Sequence, residues 1–197
     1  MSRAATTRLR ILGAAAPLFN RQGYAATSVA DVMAATKMEK GGLYYHFAGK
    51  GDIGVAAFEH AVGQVGEAMD RAAAAATDPR ERLSHLIDAF RRHVTDPVVE
   101  GGSPVFNAAV EADDSADAAL REAVRGAVER LLRFVQRTVE RGVRGGTFAA
   151  DTDARGVAAF FVASLEGAAV LARLSGAVAV FDAAAGHVRA RIEALGV

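Results

Sequence analysis

The sequence predicts an all-α chain of about nine helices, and three observations carry that prediction. Apolar residues recur at helical spacing along most of its length. No stretch alternates apolar and polar residues as a strand would. The periodic stretches are separated by short breaks rich in Gly, Pro, Asp, Ser and Thr. With 197 residues and 51% hydrophobic content, the chain can bury one large core or two small ones. It has no cysteine, which excludes a disulfide framework and a thiolate metal site and fits a cytoplasmic protein.

The first helix is expected from Thr6 or Thr7 to Gln22, because Ile11, Leu12, Ala15, Leu18 and Phe19 share one face. Pro17 removes the backbone bond to Gly13, so a bend is expected in one helix rather than a break into two. Gly23 is the expected C-cap. Thr27 and Ser28 are N-cap residues for a second helix, Val29 to Ala35. Thr36-Lys37-Met38 forms a turn, and a third helix runs from near Glu39 to near Tyr45. A long helix starts near Asp52 and reaches the alanine run 72–76. Thr77-Asp78-Pro79 ends it and opens a fifth helix, about Arg80 to Thr95, with Leu83, Leu86, Ile87, Phe90 and Val94 as its stripe. A helix from Pro104 to Glu111 follows, then a turn and cap at Asp113-Asp114-Ser115. The next helix spans about Ala116 to Arg144 and ends at Gly145-Gly146. The last two helices cover about Ala154 to Leu174 and from Ser175-Gly176 to Leu195.

Three features point beyond the fold class. The stretch Ser28–Phe47 reads as two short helices joined by a tight turn, the unit that lays its second helix in the DNA major groove. Residues 1–50 hold seven basic and two acidic residues, whereas the remainder holds 16 basic and 21 acidic. A basic head on an acidic body suits a polyanionic partner, although such clustering also arises by chance. Finally, the segment Ala154–Leu174 is apolar on nearly every face and must be buried on every face. A chain of this size has few ways to cover it alone, so part of it is expected to pack on a second subunit as a homodimer built through the last two helices. Its apolar core, Gly156 to Ala172 with Glu166 inside, falls short of the ~20 residues that span a bilayer. No membrane partner is therefore expected, and no signal peptide either, because the N-terminal run Leu9 to Phe19 is amphipathic and interrupted by Arg10.

The region from about Arg8 to Phe58 resembles the DNA-binding domain of the TetR family of bacterial transcriptional regulators. Leu18-Phe19 with Gly23-Tyr24, Thr27-Ser28-Val29, Ala30-x-Val32, and Lys40-Gly41-Gly42-Leu43-Tyr44-Tyr45-His46-Phe47 with Lys50 carry the likeness. Pro104 to Asp114 and Ser164-Leu165-Glu166-Gly167-Ala168 resemble a subset of the same family. The resemblance implies a DNA-binding domain at 6–52 with its helix-turn-helix at 28–47, and a ligand-binding and dimerisation bundle at 53–197. Lys40 and Gly42 are expected to face the groove with Glu39 beside them. Tyr44, Tyr45, His46, Lys50 and Thr27 or Ser28 are expected at phosphates. Tyr44 can equally bury its ring in the core, and His46 can be a solvated surface residue. Lys37 stands where the family often has Gly, and Glu39 where it often has Ser or Thr, so operator preference is expected to lie there.

The family also implies an effector cavity for an unknown small molecule. Phe90, His93, Phe106, Asn107, Phe134, Phe161 and Glu166 are its candidate lining, each aromatic being a core residue on the alternative reading. Glu166 needs a partner if buried: Arg173, an arginine across a dimer interface, or a ligand. No catalytic constellation and no cofactor signature are present, so no enzyme activity is expected. Glu81, His85 and Asp88 on one helix lack a second Glu-x-x-His set, which disfavours a metal site. The expected function is a ligand-responsive repressor that binds a pseudo-palindromic DNA operator as a homodimer. The rival is a helical adaptor or metal-binding protein without DNA affinity.

Overall fold

The computed structural model describes residues 2–114 and 117–196. Among these the helices are α1 (Arg3–Gln22), α2 (Val29–Thr36), α3 (Lys40–Tyr44), α4 (Lys50–Ala73), α5 (Pro79–Thr95), α6 (Pro104–Asp114), α7 (Ala118–Arg144), α8 (Ala154–Ser175) and α9 (Val178–Glu193). No strand occurs among the described residues. Packing divides the chain into two compact units, Met1–Val65 with Val99–Ala127, and Gly66–Val98 with Val128–Val197. This division differs from the expected boundary after residue 52. The first two-thirds of α4, all of α6 and the start of α7 belong to the unit that holds the helix-turn-helix.

In the first unit α1 starts earlier than the periodicity predicts, because Ser2 caps it by accepting the Ala5 N–H. The helix runs through Pro17 as one element. Its apolar face, Ile11, Leu12, Ala15, Leu18 and Phe19, is buried as expected. Around it gather Val32 of α2, Leu43 of α3, Phe47, Ile53, Ala57 and Phe58. Phe19 stacks on Tyr24 at a centroid separation of 5.1 Å, and Tyr24 meets Phe58 edge-on at 6.4 Å. Asp113 and Asp114 continue α6 rather than forming a turn. The expected cap at Ser115 and helix start at Ala116 lie outside the described residues. Asp117 instead receives the Ala119 and Leu120 N–H groups at the start of α7.

In the second unit Asp78 caps α5 by accepting from the N–H groups of Arg80 and Glu81, with Pro79 at the first helical position. The predicted stripe Leu83, Leu86, Ile87 and Phe90 is buried and packs with Phe148, Phe161, Leu165 and Phe181. α8 packs on α9 and α5. It is 22 residues long, and by length and apolarity alone it could cross a membrane, an 18-residue window of it having a mean hydropathy of 1.7. Within the chain, however, it buries Val157, Phe161, Val162, Leu165 and Glu166 as a core helix does. Ion pairs Arg91–Asp182 and Arg189–Asp88 tie α5 to α9 across its solvent side.

Gly142 faces the Phe148 ring where the chain turns back after α7 (Gly145 and Gly146 end the helix, as the sequence implies). A Cβ at 142 would fall inside the ring's contact distance. Gly142→Ala is therefore expected to destabilise the protein by about 1–3 kcal/mol through overpacking, read as a lower urea midpoint at unchanged slope.

Candidate nucleic-acid interface

Each element of the helix-turn-helix has a local cause. Ser28 and Asp31 form a reciprocal capping box at the start of α2. The Ser28 hydroxyl accepts the Asp31 N–H at 3.1 Å, and the Asp31 carboxylate accepts the Ser28 N–H at 2.8 Å and its hydroxyl at 2.6 Å. Those hydrogen bonds hold the Asp31 carboxyl below its ordinary range, the side-chain bond to Ser28 foremost. α2 ends at Lys37, which takes a left-handed conformation, φ 54° and ψ 38°, and is the non-glycine residue with positive φ among the described residues. The chain then enters α3 at Glu39, whose side chain makes no capping bond.

α3 has five residues, too few to stand alone. It is held by Leu43 and Phe47, which are 0% and 2% exposed. Their burial sets its phase and turns Lys40, Gly41 and Tyr44 outward, and Lys37 is exposed in the turn before it. The Lys40 ammonium lies 5.9 Å from the Tyr44 ring centroid, and Tyr45 packs edge-on to His46 at 5.0 Å. Tyr44 and Tyr45 are 42% and 77% exposed, so Tyr44 is not a core residue. The arrangement offers two lysines, two phenol hydroxyls and an imidazole as hydrogen-bond donors of the kind that suit phosphate and base edges, with one carboxylate as an acceptor.

Not every expected contact residue lies on this surface. Thr27 is fully buried, and its hydroxyl donates to the Gly23 carbonyl at 2.6 Å. It serves the frame and is not open to phosphate. Lys50 directs its ammonium to the Ala25 carbonyl at 2.8 Å, bracing the link between α1 and α2. Gly42 is half-buried with the Met38 methyl beside it, whereas Gly41 faces open space. The glycine at which DNA backbone can approach closely is therefore Gly41. Arg8 is a further exposed cation that the motif reading omits, its guanidinium lying 5.0 Å from the Phe47 ring centroid.

The candidate effector residues are divided. Phe90, His93, Phe134, Phe161 and Glu166 all belong to the second unit. Phe90 and Phe161 meet edge-on at 6.4 Å, and the Arg82 guanidinium covers the Phe134 ring at 5.1 Å. His93 and Glu166 are buried, 7% and 8% exposed, with Thr138 beside the apolar cluster. Phe106 and Asn107 instead belong to the first unit, where Asn107 hydrogen-bonds Asn20. Of the residues weighed as metal ligands, Glu81 accepts from the Thr77 backbone and hydroxyl, and Asp88 pairs with Arg189. The first unit also has a pocket of about 590 Å³ floored by Phe19, Tyr24, Val55 and Leu120. Burial, and secondarily the Glu111 carboxylate, push the Tyr24 phenol far up, so it stays neutral.

Two substitutions test this geometry. Lys37→Gly removes the steric cost of the left-handed backbone and is expected to raise stability by about 0.5–1 kcal/mol in urea unfolding. Ser28→Ala removes the cap and is expected to cost about 1 kcal/mol at neutral pH. The Asp31 pKa is lower in the folded state, so its contribution is present above the ordinary carboxylate value of 3.8 and lost as pH falls below it. The Ser28→Ala difference should therefore narrow in acid.

The chain was compared with known proteins. Residues 11–57 match the family of bacterial regulatory proteins of the tetR type, and residues 79–188 match the tetracyclin repressor-like C-terminal domain. A TetR transcriptional regulator from Chloroflexus aurantiacus J-10-FL superposes with a TM-score of 0.92 at 34% identity, covering 98% of this chain and 96% of that one. One from Cytophaga hutchinsonii gives 0.92 at 28%, covering 100% and 98%. The TetR-family regulator CifR, solved with a 26-base-pair double-strand operator, gives 0.81 at 25%, covering 91% and 94%. The HTH-type transcriptional regulator HbdR of Aromatoleum sp. (strain CIB) is 25% identical over 139 residues, which is 71% of this chain and 58% of HbdR. With matches over both its N-terminal and C-terminal parts, the chain belongs to the TetR family of bacterial transcriptional regulators.

Proposed function

We propose that this regulator is a cytoplasmic, effector-responsive repressor whose residues 6–52 read a pseudo-palindromic operator and whose remaining residues bind effector and a second copy of the chain. The observation that carries the reading is the outward face of α3, Lys40, Gly41 and Tyr44, with Lys37 exposed in the turn before it and Tyr45, His46 and Glu39 flanking it. Lysines and tyrosine hydroxyls there suit phosphates, which fix register. Lys37, Lys40 and Glu39 suit base edges, which fix sequence. A carboxylate accepts from cytosine N4 and repels phosphate, so Glu39 favours a site with cytosine opposite it.

Dimerisation is supported by the outer faces of α8 and α9. Phe160, Leu171, Leu174 and Val180 remain 37–77% exposed in the single chain, and Ala159, Ala163, Ala179, Ala183 and Gly186 continue the same faces with small side chains. Two copies of such a pair of helices can approach closely as a four-helix bundle. The dimer would space two α3 helices for half-sites about one DNA turn apart. The effector would lie among Phe90, His93, Phe134, Phe161 and Glu166. It would act through its differential affinity for two conformations of the dimer.

A gel shift with the DNA upstream of the protein's own gene tests the reading. The expected result is a salt-sensitive shift that resists non-specific competitor. Lys40→Ala should weaken it about tenfold and reduce the salt slope by about one, and Tyr45→Ala should act in the same direction. Absence of any competitor-resistant complex with genomic fragments would refute it. Leu174→Glu should convert the dimer to monomer by light scattering and abolish the shift together with it.

A further inference from the structure

Outside the reading face, the five residues Gly23–Thr27 join α1 to the cap of α2. Two of their N–H groups point away from either helix. Tyr24 and Ala25 donate these to the two oxygens of one carboxylate, Glu111 on α6, at 3.0 and 2.9 Å. One turn back on both helices a second polar junction forms. Asn107 donates its amide to the Asn20 carbonyl at 3.1 Å, the Asn20 side-chain oxygen at 3.0 Å and the Gly101 carbonyl at 2.9 Å. Asn20 in turn donates to the carbonyls of Glu100 and Gly102 at 2.8 and 2.9 Å.

Asn107 and Glu111 lie four residues apart on one face of α6 and meet Asn20 in the last turn of α1 and Tyr24 just past its end, so the two junctions form rungs of one ladder. Each rung requires a glycine. Gly23 has φ +90°, and a Cβ there would stand 2.5 Å from Glu111 Oε1. Gly101 has φ +106°, and a Cβ there would stand 2.9 Å from the Asn20 carbonyl oxygen. Between the rungs Ala108, with Ala112 beyond, supplies only small apolar contacts, which by themselves would admit sliding. The directional polar bonds give α6 a single register against α1, since the next comparable arrangement is a whole turn, about 5.4 Å, away. The link is braced from its other side by Lys50 on the Ala25 carbonyl and from within by Thr27 on the Gly23 carbonyl.

We propose that Glu111 is a positioning residue for operator binding: its carboxylate fixes the link before α2, and with it the attitude of α3, although neither it nor α6 belongs to the reading surface. The inference rests on the DNA-binding reading above and adds to it a residue outside the helix-turn-helix. Glu111→Gln keeps the size of the side chain but leaves one acceptor oxygen and turns an amide toward an N–H donor. Removing a negative charge from a DNA-binding protein raises affinity through bulk electrostatics. Loss of the latch has the opposite sign, which separates the two effects.

The experiment measures operator affinity across a salt series for wild type and Glu111→Gln, with far-UV circular dichroism and light scattering to establish folding and dimer. The expected result is a folded dimeric variant whose affinity falls about tenfold, the scale of one lost charge-assisted hydrogen bond, at an unchanged salt slope. Lys40→Ala, by contrast, should lower affinity together with the slope. Unchanged or increased affinity in the folded variant would overturn the positioning role alone, whereas failure of wild type to bind any fragment would overturn the DNA-binding reading beneath it. Hydrogen exchange on wild type covers the case of a variant that does not fold. The Tyr24 and Ala25 amides should be protected, and exchange at the rate of an open loop would overturn the latch.

Discussion

A five-residue helix has no stability of its own, so the reading face depends on what lies beneath it. Leu43 and Phe47 fix α3 to the core formed by α1, α2 and the start of α4. Their burial determines which side chains point outward. The surface groups are therefore a consequence of the core, since rotating α3 by one residue would withdraw Lys40 and expose Leu43. Nucleation cost forbids such a helix in isolation, and tertiary burial supplies what local hydrogen bonds cannot. The Phe19–Tyr24–Phe58 ring cluster performs the same service for the link before α2, because Tyr24 is anchored by its ring while its N–H reaches Glu111.

The helices were legible because each carries the apolar period of its buried face and an explicit start or stop. Asp78-Pro79 and Asp153 behave as capping rules require. Ser28 was legible as a cap, whereas the left-handed backbone at Lys37 is decided by how the turn closes between α2 and α3. The faults lie where phase or partner is decided far along the chain. Gly41 and Gly42 are adjacent and chemically identical, and only the burial of Leu43 shows which of them is open. Thr27 has the chemistry of a phosphate contact, but the Gly23 carbonyl claims its hydroxyl, and Lys50 gives one of its three N–H donors to the Ala25 carbonyl. Asn107 looks like a ligand-recognising amide until residue 20, far away in sequence, is brought against it.

The two units use polar groups differently. In the first, buried polar side chains such as Asn20, Thr27 and Thr36 bond to backbone, which fixes the directions of chain segments around the reading helix. In the second, His93 and Glu166 are buried ionisable groups set in an aliphatic and aromatic cluster. Burying such groups carries a desolvation cost that well-placed partners must offset. The first pattern suits a rigid reader.

Lys37 shows how these demands compete at one position. Left-handed backbone disfavours any side chain by about 1 kcal/mol, and glycine would relieve it. The lysine is exposed in the turn between α2 and α3, three residues before Lys40. Folding alone therefore gives no reason for a lysine here, and the packing of the first unit gains nothing from it. The proposed use of the lysine is what its ammonium meets outside the chain. In the proposed reading that is the operator, where a cation at the mouth of the turn gains more from a phosphate or a guanine edge than the backbone loses. The stability lost at Lys37 and the recognition gained by α3 are then two aspects of the same placement, and neither can be tuned without moving the other.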